Sequence, residues 1–533
     1  MRGKEEGAGV GRGVRGFARR LRMGTQESVV LTETLPVRGG ATARARGGGL
    51  TADGRLRSGR LAGLSMWRAV WVLAWPITLE SFLNSLVGLT DTKLAAGLGV
   101  AETDAIGGAS YIMWFIGLVV MALGIGATAL IARSIGRGRF GVANAVLGQS
   151  ATLAVVAGIG VGAFVMVAGS VITWLLNMTP EAGEAFDRYI VVIAAGTPAA
   201  SMIFVLAACA RGAGDAKRPL IVMTVRNIVN MGVSYALSGV DIWGVQNPFT
   251  FDLGVTGIAL GTVTGDVVAA GVIVWMAAGG AWGIRLKARW LKPHWHTIRR
   301  LVRLGLPNFF ESLGMWVGNF LVMVMVGWLG VEALARHEPG GQLGTHIIAV
   351  RIESFSFLPG FALGTAAATL AGQFLGAGSE RLARRAVVRC TMVGALVMGG
   401  LGVAFVMAPE WIVSLLSDQP EHLVTTPDLL VVCGSIQVPF AVTIIVRGAL
   451  RGAGDVKVVM WLTWVATYLI RLPLAYLLSG VDIPLGNGHF IVNPSPVDWG
   501  LVGLWIALCG EVSLRSLIFV ARFLQGGWAR VKV

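Results

Sequence analysis

From Trp67 onward the chain is a succession of long apolar stretches separated by short polar breaks. Each is about 20–30 residues, enough to cross the roughly 30 Å hydrocarbon core of a bilayer as a helix. The approximate spans are 68–94, 105–132, 142–170, 187–210, 219–240, 254–282, 301–330, 343–375, 386–412, 424–450, 457–480 and 500–524. Only 14% of the 533 residues are charged, against about 25% in soluble domains, which excludes a soluble enzyme. The expected fold class is an all-α polytopic membrane protein with twelve transmembrane helices. Trp67, Trp174, Trp243, Trp282, Trp328, Trp411 and Trp499 fall near the expected span ends, as an interfacial aromatic belt requires.

Charge placement tests that count. The even connections and the C-terminal end carry 22 basic residues, among them Arg133, Arg137 and Arg139, a run from Arg285 to Arg303, and Arg522, Arg530 and Lys532. The odd connections, with the span ends beside them, carry three (Lys93, Arg188 and Arg336) and 15 carboxylates, such as Glu181, Glu184, Asp418 and Glu421. A missed or extra helix would scramble the alternation. Twelve spans with both termini cytoplasmic follow, in a plasma (inner) membrane.

Residues 1–68 hold 14 Lys/Arg and 5 Asp/Glu and no sustained apolar period. Residues 1–66 read as a disordered basic tail. Gly11-x-Gly13-x-x-Gly16 lies between neither strand nor helix, so it is not a dinucleotide motif. An organellar presequence, or a start at Met23 or Met66, are the alternatives; no aromatic residues interleave the arginines as a nucleic-acid arm would need. The four cysteines and six histidines form no metal or disulfide spacing. There is no GxxxxGK[ST] loop for direct ATP drive. No cofactor or catalytic residue is expected.

The two halves resemble each other. Arg211-Gly-Ala-Gly-Asp215 recurs 240 residues on as Arg451-Gly-Ala-Gly-Asp455. The segment 127–138, ending Gly136-x-Gly138, matches 367–378, and Ser238-Gly-Val-Asp241 returns as Ser479-Gly-Val-Asp482. Pro76-x-x-x-Glu80 has a counterpart in Pro307-x-x-x-Glu311. Six spans per half is an even number, so both halves enter the membrane alike and form a parallel repeat. The expected organisation is a six-helix lobe at 67–284, a cytoplasmic linker at 285–300 and a second six-helix lobe at 301–533. Two such bundles about a seam suit alternating access at a midplane site.

These residues resemble the multidrug and toxin extrusion (MATE) transporters over roughly residues 66–526. The resemblance rests on Asp91-Thr-x-x-x-x-Gly-x-Gly99, Gly136-x-Gly138, Arg211-Gly-x-Gly-Asp215 with Pro219, Asn227-x-x-Asn230, and their repetition in the second half. Arg351-Ile-Glu-Ser-Phe-Ser-Phe-Leu-Pro-Gly360 is similar to a segment of one bacterial group of the family. The resemblance implies an antiporter exporting organic, often cationic, drugs or toxic metabolites in exchange for H+ or Na+. Its partners would be a small-molecule substrate, the coupling ion and the lipid bilayer; a monomer is expected. A lipid or lipid-linked oligosaccharide flippase of the same superfamily, with a larger and more basic cavity, is the alternative.

Charged residues inside spans cost at least about 2.5–3.5 kcal/mol each at a helix centre, so they face a cavity or one another. The resemblance points to Asp91 for the cation or proton site of the first lobe, either taking up a proton or holding Na+ with Asn230. Ser234 stands where some members have a second Asp. In the seventh span Met315 replaces a family Glu, and Glu311, one turn earlier, is the candidate substitute. A capping role is the alternative for Asp91, and a packing role at the seam is the alternative for the Glu80/Glu311 pair. Arg351 and Glu353 do not face each other on a helix, which makes Arg226 or Asp266 candidate partners; Glu353 could contact substrate or form a buried ion pair. Asp266 and Glu511 each follow a glycine, which suits close packing or a functional carboxylate. Asp215 and Asp455 read as caps.

Overall fold

The computed structural model describes residues 49–175, 178–241, 246–335, 341–417, 419–486 and 489–531. The first half contains α1 (Met66–Leu98), α2 (Val100–Gly136), α3 (Phe140–Leu175), α4 (Pro180–Gly212), α5 (Lys217–Ser238) and α6 (Gly254–Gly279). The second contains α7 (Trp295–Ala335), α8 (Gln342–Gly376), α9 (Glu380–Met407), α10 (Pro420–Ser435 continued by Gln437–Gly452), α11 (Val456–Ser479) and α12 (Gly500–Gln525). Eleven are individually long and apolar enough to cross a membrane; α10 is the twelfth, bent by 56° between its two pieces. Each expected span is met by a helix. Polar residues start several of them: Thr179, ahead of Pro180, accepts a hydrogen bond from the Ala182 amide, and Ser379 accepts one from Leu382.

The repeat extends to the turns. α5 and α11 end at Gly239 and Gly480, with φ of 75° and 72°. A Cβ at either would lie 2.8 Å from Asp252 Oδ1 or 2.6 Å from Asp498 Oδ1, so both the left-handed backbone and the space require glycine. Asn247 and Asn493 then each donate to an equivalent carbonyl, of Tyr235 and Tyr476, at 2.7 Å.

One difference between the halves has a visible consequence. Asp215 and Ser238 are one residue closer in sequence than their counterparts Asp455 and Ser479. The extra residue falls in α11, where Val465–Arg471 is π-helical. A π turn holds one more residue than an α turn, so it absorbs an insertion without moving either helix end.

The lobes meet at the end of the bundle that carries both described termini. There α2 and α8 cross backbone to backbone: a Cβ on Gly136 would lie 2.0 Å from the Gln373 carbonyl oxygen, and one on Gly376 would lie 2.4 Å from that of Arg133. Two repeat-related hydrogen bonds flank the crossing. Arg133 donates across the seam to the Ala453 carbonyl, and Gln373 donates back to that of Gly212, both at 3.0 Å. The other Arg133 nitrogen donates to the Val531 carbonyl at 2.8 Å. Hydrophobic cores at this end mix the lobes, joining Val70, Leu73 and Ile77 to Leu363, Leu370 and Phe374. At the far end each lobe has its own core, around Phe186 and Tyr189 in one and around Leu429 and Trp505 in the other. The lobes thus share a core at the terminal end and pack on separate cores toward the other.

Two expected boundaries shift. Residues 49–65, expected as part of the disordered tail, are folded against the closed end: Leu56 and Leu61 are only 2% and 1% exposed, and Ser58 donates to the Ile135 carbonyl at 2.7 Å. Their leucines supply the apolar contact that the arginine-rich composition masks. The linker is shorter than 285–300, because α7 begins at Trp295. Gln149 of α3 straps the linker down by donating to the Trp290 and Lys292 carbonyls. Residues 1–48, Trp243, Arg336, Asp418 and Lys532 lie outside the described residues.

Candidate functional site

Buried charge in this protein is arranged twice over. In each lobe the glutamate four residues after the proline of the first helix pairs with the arginine of the Arg-Gly-Ala-Gly-Asp turn. Glu80 of α1 binds Arg211, and Glu311 of α7 binds Arg451 at 2.7 Å. The turn's aspartate serves the same face: Asp215 accepts from the Arg218 amide and meets its side chain and Arg60, while Asp455 meets Arg522 at 2.8 Å. A second pair joins the last two helices of each lobe, Arg226 to Asp266 and Arg471 to Glu511.

The second lobe is the more heavily consumed. Glu311 is fully buried, accepts from Thr463 at 3.0 Å, and has Arg447 3.9 Å away. Glu511 lies between Arg471 and Arg515, and Arg471 also donates to Asn319 at 2.6 Å. Every one of these carboxylates is held by arginine, as buried carboxylates in an apolar interior need to be.

Asp91 is treated differently. It lies on α1 within the electrostatic reach of Tyr189 on α4 and Arg226 on α5, whose guanidinium is bonded to Asp266 on α6. Its Oδ1 is buried with no hydrogen-bond partner. Two further buried oxygens in the same lobe, Asn227 Oδ1 and Asn230 Oδ1, also lack a donor. The amide nitrogens of these residues are used: Asn227 donates to Asn84 at 3.3 Å and Asn230 to Thr262 at 2.9 Å. Fixing the nitrogens fixes which way the oxygens point. Carboxylate and amide carbonyl oxygens are hard donors of the kind Na+ takes, and a carboxylate can also take up a proton.

Of the candidate coupling residues, the structure puts Asp91 and Asn230 in the first lobe and Glu311 in the second, paired with arginine. Ser234 donates to the Ile258 carbonyl at 3.3 Å and packs on Gly261, which makes it a contact between α5 and α6. Arg226 and Asp266 pair with each other, not with Arg351 or Glu353. Arg351 is exposed; Glu353 is half-buried against the Cys433 thiol, with the Arg471 charge nearby. Glu80 and Glu511 are ion-paired as described. Sequence reasoning missed Tyr189 as a neighbour of Asp91 and Asn84 as the partner of Asn227.

The MatE family profile matches residues 76–236 and again 307–477. The chain belongs to the MatE family. One match falls in each lobe, over α1–α5 and over α7–α11, so the repeat read from short motifs extends over five helices in each half. Similar proteins include the "Probable multidrug resistance protein NorM" of Thermotoga maritima, 26% identical over 86% of this chain and 92% of that protein. The multidrug resistance protein MdtK of Proteus mirabilis is 27% identical over 85% and 94%. Among solved structures, an outward-facing multidrug resistance MATE transporter superposes with a TM-score of 0.76 at 19% identity, covering 87% of this chain and 97% of that one. A MOP superfamily transporter from Pyrococcus furiosus does so at 0.76 and 19%, covering 88% and 98%. This MatE chain is a two-lobed, twelve-helix membrane transporter.

Proposed function

We propose that this MatE protein is an ion-coupled antiporter that exports organic, cationic drugs or toxic metabolites by alternating access. The carrying observation is Asp91, an acid on a membrane-spanning helix with a buried oxygen that no donor reaches, in the lobe where the buried Asn227 and Asn230 oxygens are also bare. A buried acceptor left bare costs free energy, and an incoming H+ or Na+ relieves that cost as cargo of the exchange. Arg226, whose charge acts on Asp91, is bonded to Asp266, so Asp91 shares that cation with a second acid. The lobes share a core at the terminal end and have separate cores at the other, and the basic even connections favour a cytoplasmic terminal end. On that reading the shared core seals the cytoplasmic side, and the coupling ion loads and substrate leaves on the outer side. A membrane potential contributes about 2.3 kcal/mol per charge per 100 mV to ion entry. The relatives named as multidrug resistance proteins support the substrate class.

The test is substrate movement in proteoliposomes under a pH gradient alone and a Na+ gradient alone. Export driven by one of them, and abolished by Asp91→Asn, supports the reading. Movement indifferent to both gradients refutes it, and lipid-linked sugar moving in place of drug would favour a flippase.

A further inference from the structure

Where α7 and α11 begin side by side at the terminal end, they leave a groove of about 580 Å³ lined by Trp295, Ile298, Arg299, Val302, Arg303 and Lys457. Three of these are cations, and none of the three makes an ion pair among the described residues. Both helix N-termini add their positive dipole ends. Further along the bundle the same faces turn apolar. On α7, Leu306 and Phe310 are 49% and 41% exposed; on α11, Trp461 and Val465 are 59% and 42% exposed. The spacing is helical, Trp295, Arg299, Arg303, Leu306, Phe310 on one helix and Lys457, Trp461, Val465 on the other, so each set forms one stripe. The groove is therefore polar and positive at its mouth and apolar beneath, the polarity of a phospholipid with an anionic head.

We propose that this groove binds an anionic phospholipid from the leaflet on the terminal side, its phosphate among Arg299, Arg303 and Lys457 and its acyl chains along Leu306, Phe310 and Trp461. The equivalent place in the first lobe has a different content. By the repeat, Arg68 and Lys217 correspond to Arg299 and Lys457, but Val72 stands for Arg303 and Trp75 for Leu306. There the Lys217 ammonium lies 6.0 Å from the centre of the Trp75 ring, an aromatic partner already in place. The second lobe has one more cation, and Leu306 stands where the first lobe has the ring that holds its lysine. Glu311, Thr463 and Trp464 fasten α7 to α11 directly behind the groove, so a bound lipid would brace the two helices that hold the second lobe's buried ion pair.

The full-length chain, purified in detergent with equimolar phosphatidylglycerol and phosphatidylcholine, is analysed by native mass spectrometry for retained lipid. Wild type should retain phosphatidylglycerol in preference. Arg303→Gln should lower that preference about fivefold, and the triple variant Arg299→Gln/Arg303→Gln/Lys457→Gln about a hundredfold, from about one kcal/mol per surface cation. Leu306→Asn should weaken retention of both lipids with the preference unchanged, and Arg381→Gln/Arg385→Gln, which removes exposed charge on α9, should leave both unchanged. Equal retention of the two lipids by wild type would overturn the proposal. So would an α9 variant as impaired as the triple variant, or displacement of the lipid by an equal concentration of inorganic phosphate or glycerol phosphate. The single variant carries the test should the triple variant not purify as a monodisperse protein.

Discussion

Glu511 and Asp91 are both acids on membrane-spanning helices, and their neighbours set them apart. Glu511 receives four nitrogen contacts from Arg471 and Arg515, and removing its charge strands two arginines in an apolar interior. Glu511→Gln should destabilise the protein by about 3–5 kcal/mol, read as a lower melting temperature and a reduced yield of monodisperse protein. Asp91 has a bare oxygen, so Asp91→Asn should leave melting within a few degrees of wild type while abolishing gradient-driven export in vesicles. A loss of fold in Asp91→Asn with normal thermal behaviour in Glu511→Gln would invert the assignment of structural and coupling acids. The sequence displayed which residues were charged, and their cost in lipid said that they needed partners. It did not say which partners, because an arginine on one helix reaches whichever neighbour its rotation presents. Arg226 therefore found Asp266 on α6, and Glu353 found a thiol and a distant arginine on other helices.

At the scale of the element, every long apolar stretch became a helix, because in lipid no other backbone arrangement satisfies its own amides. The π-helical stretch of α11 was present in the sequence only as a slip of one residue between two repeats. That slip decides where Arg471 points. Deleting Ala466 should let α11 close into a continuous α-helix and turn everything on one side of the deletion by about 100° relative to the other. Arg471 would lose Glu511 and Asn319 and Tyr468 the Gly314 carbonyl, or Trp464 would lose the α7 carbonyl of Phe310. The expected outcome is a melting temperature lowered as far as in Glu511→Gln, whereas deleting a residue in the regular helix of an exposed stretch of α3, such as Gly160, should not reproduce loss of that ion pair. The bend of α10 was equally hidden, since its apolar run continues through Ile436.

Across the whole molecule, the sequence's alternation of basic connections anticipated an even number of crossings, and the described termini do share one end. The closed seam was legible only in outline: the glycines 136 and 376 were visible as repeat partners, but nothing in a linear string states that they cross each other. Gly136→Val should force the seam apart, because its side chain would overlap the Gln373 carbonyl. With spin labels on Arg139→Cys and Arg381→Cys in a background lacking other accessible thiols, wild type should show one short distance, and the valine variant should add a longer one. An unchanged distance distribution would show that the crossing does not hold the lobes.

The two struts beside that crossing have an uneven vulnerability. Arg133 and Gln373 reach over with side chains, yet both land on main-chain oxygens, those of Ala453 and Gly212. No substitution at 453 or 212 can delete its oxygen, so drift on the receiving side is harmless so long as the backbone keeps its course. Inheritance of the latch thus depends on two donors, one per half, and a duplicated gene could let them diverge into arginine and glutamine without ever unlocking the door.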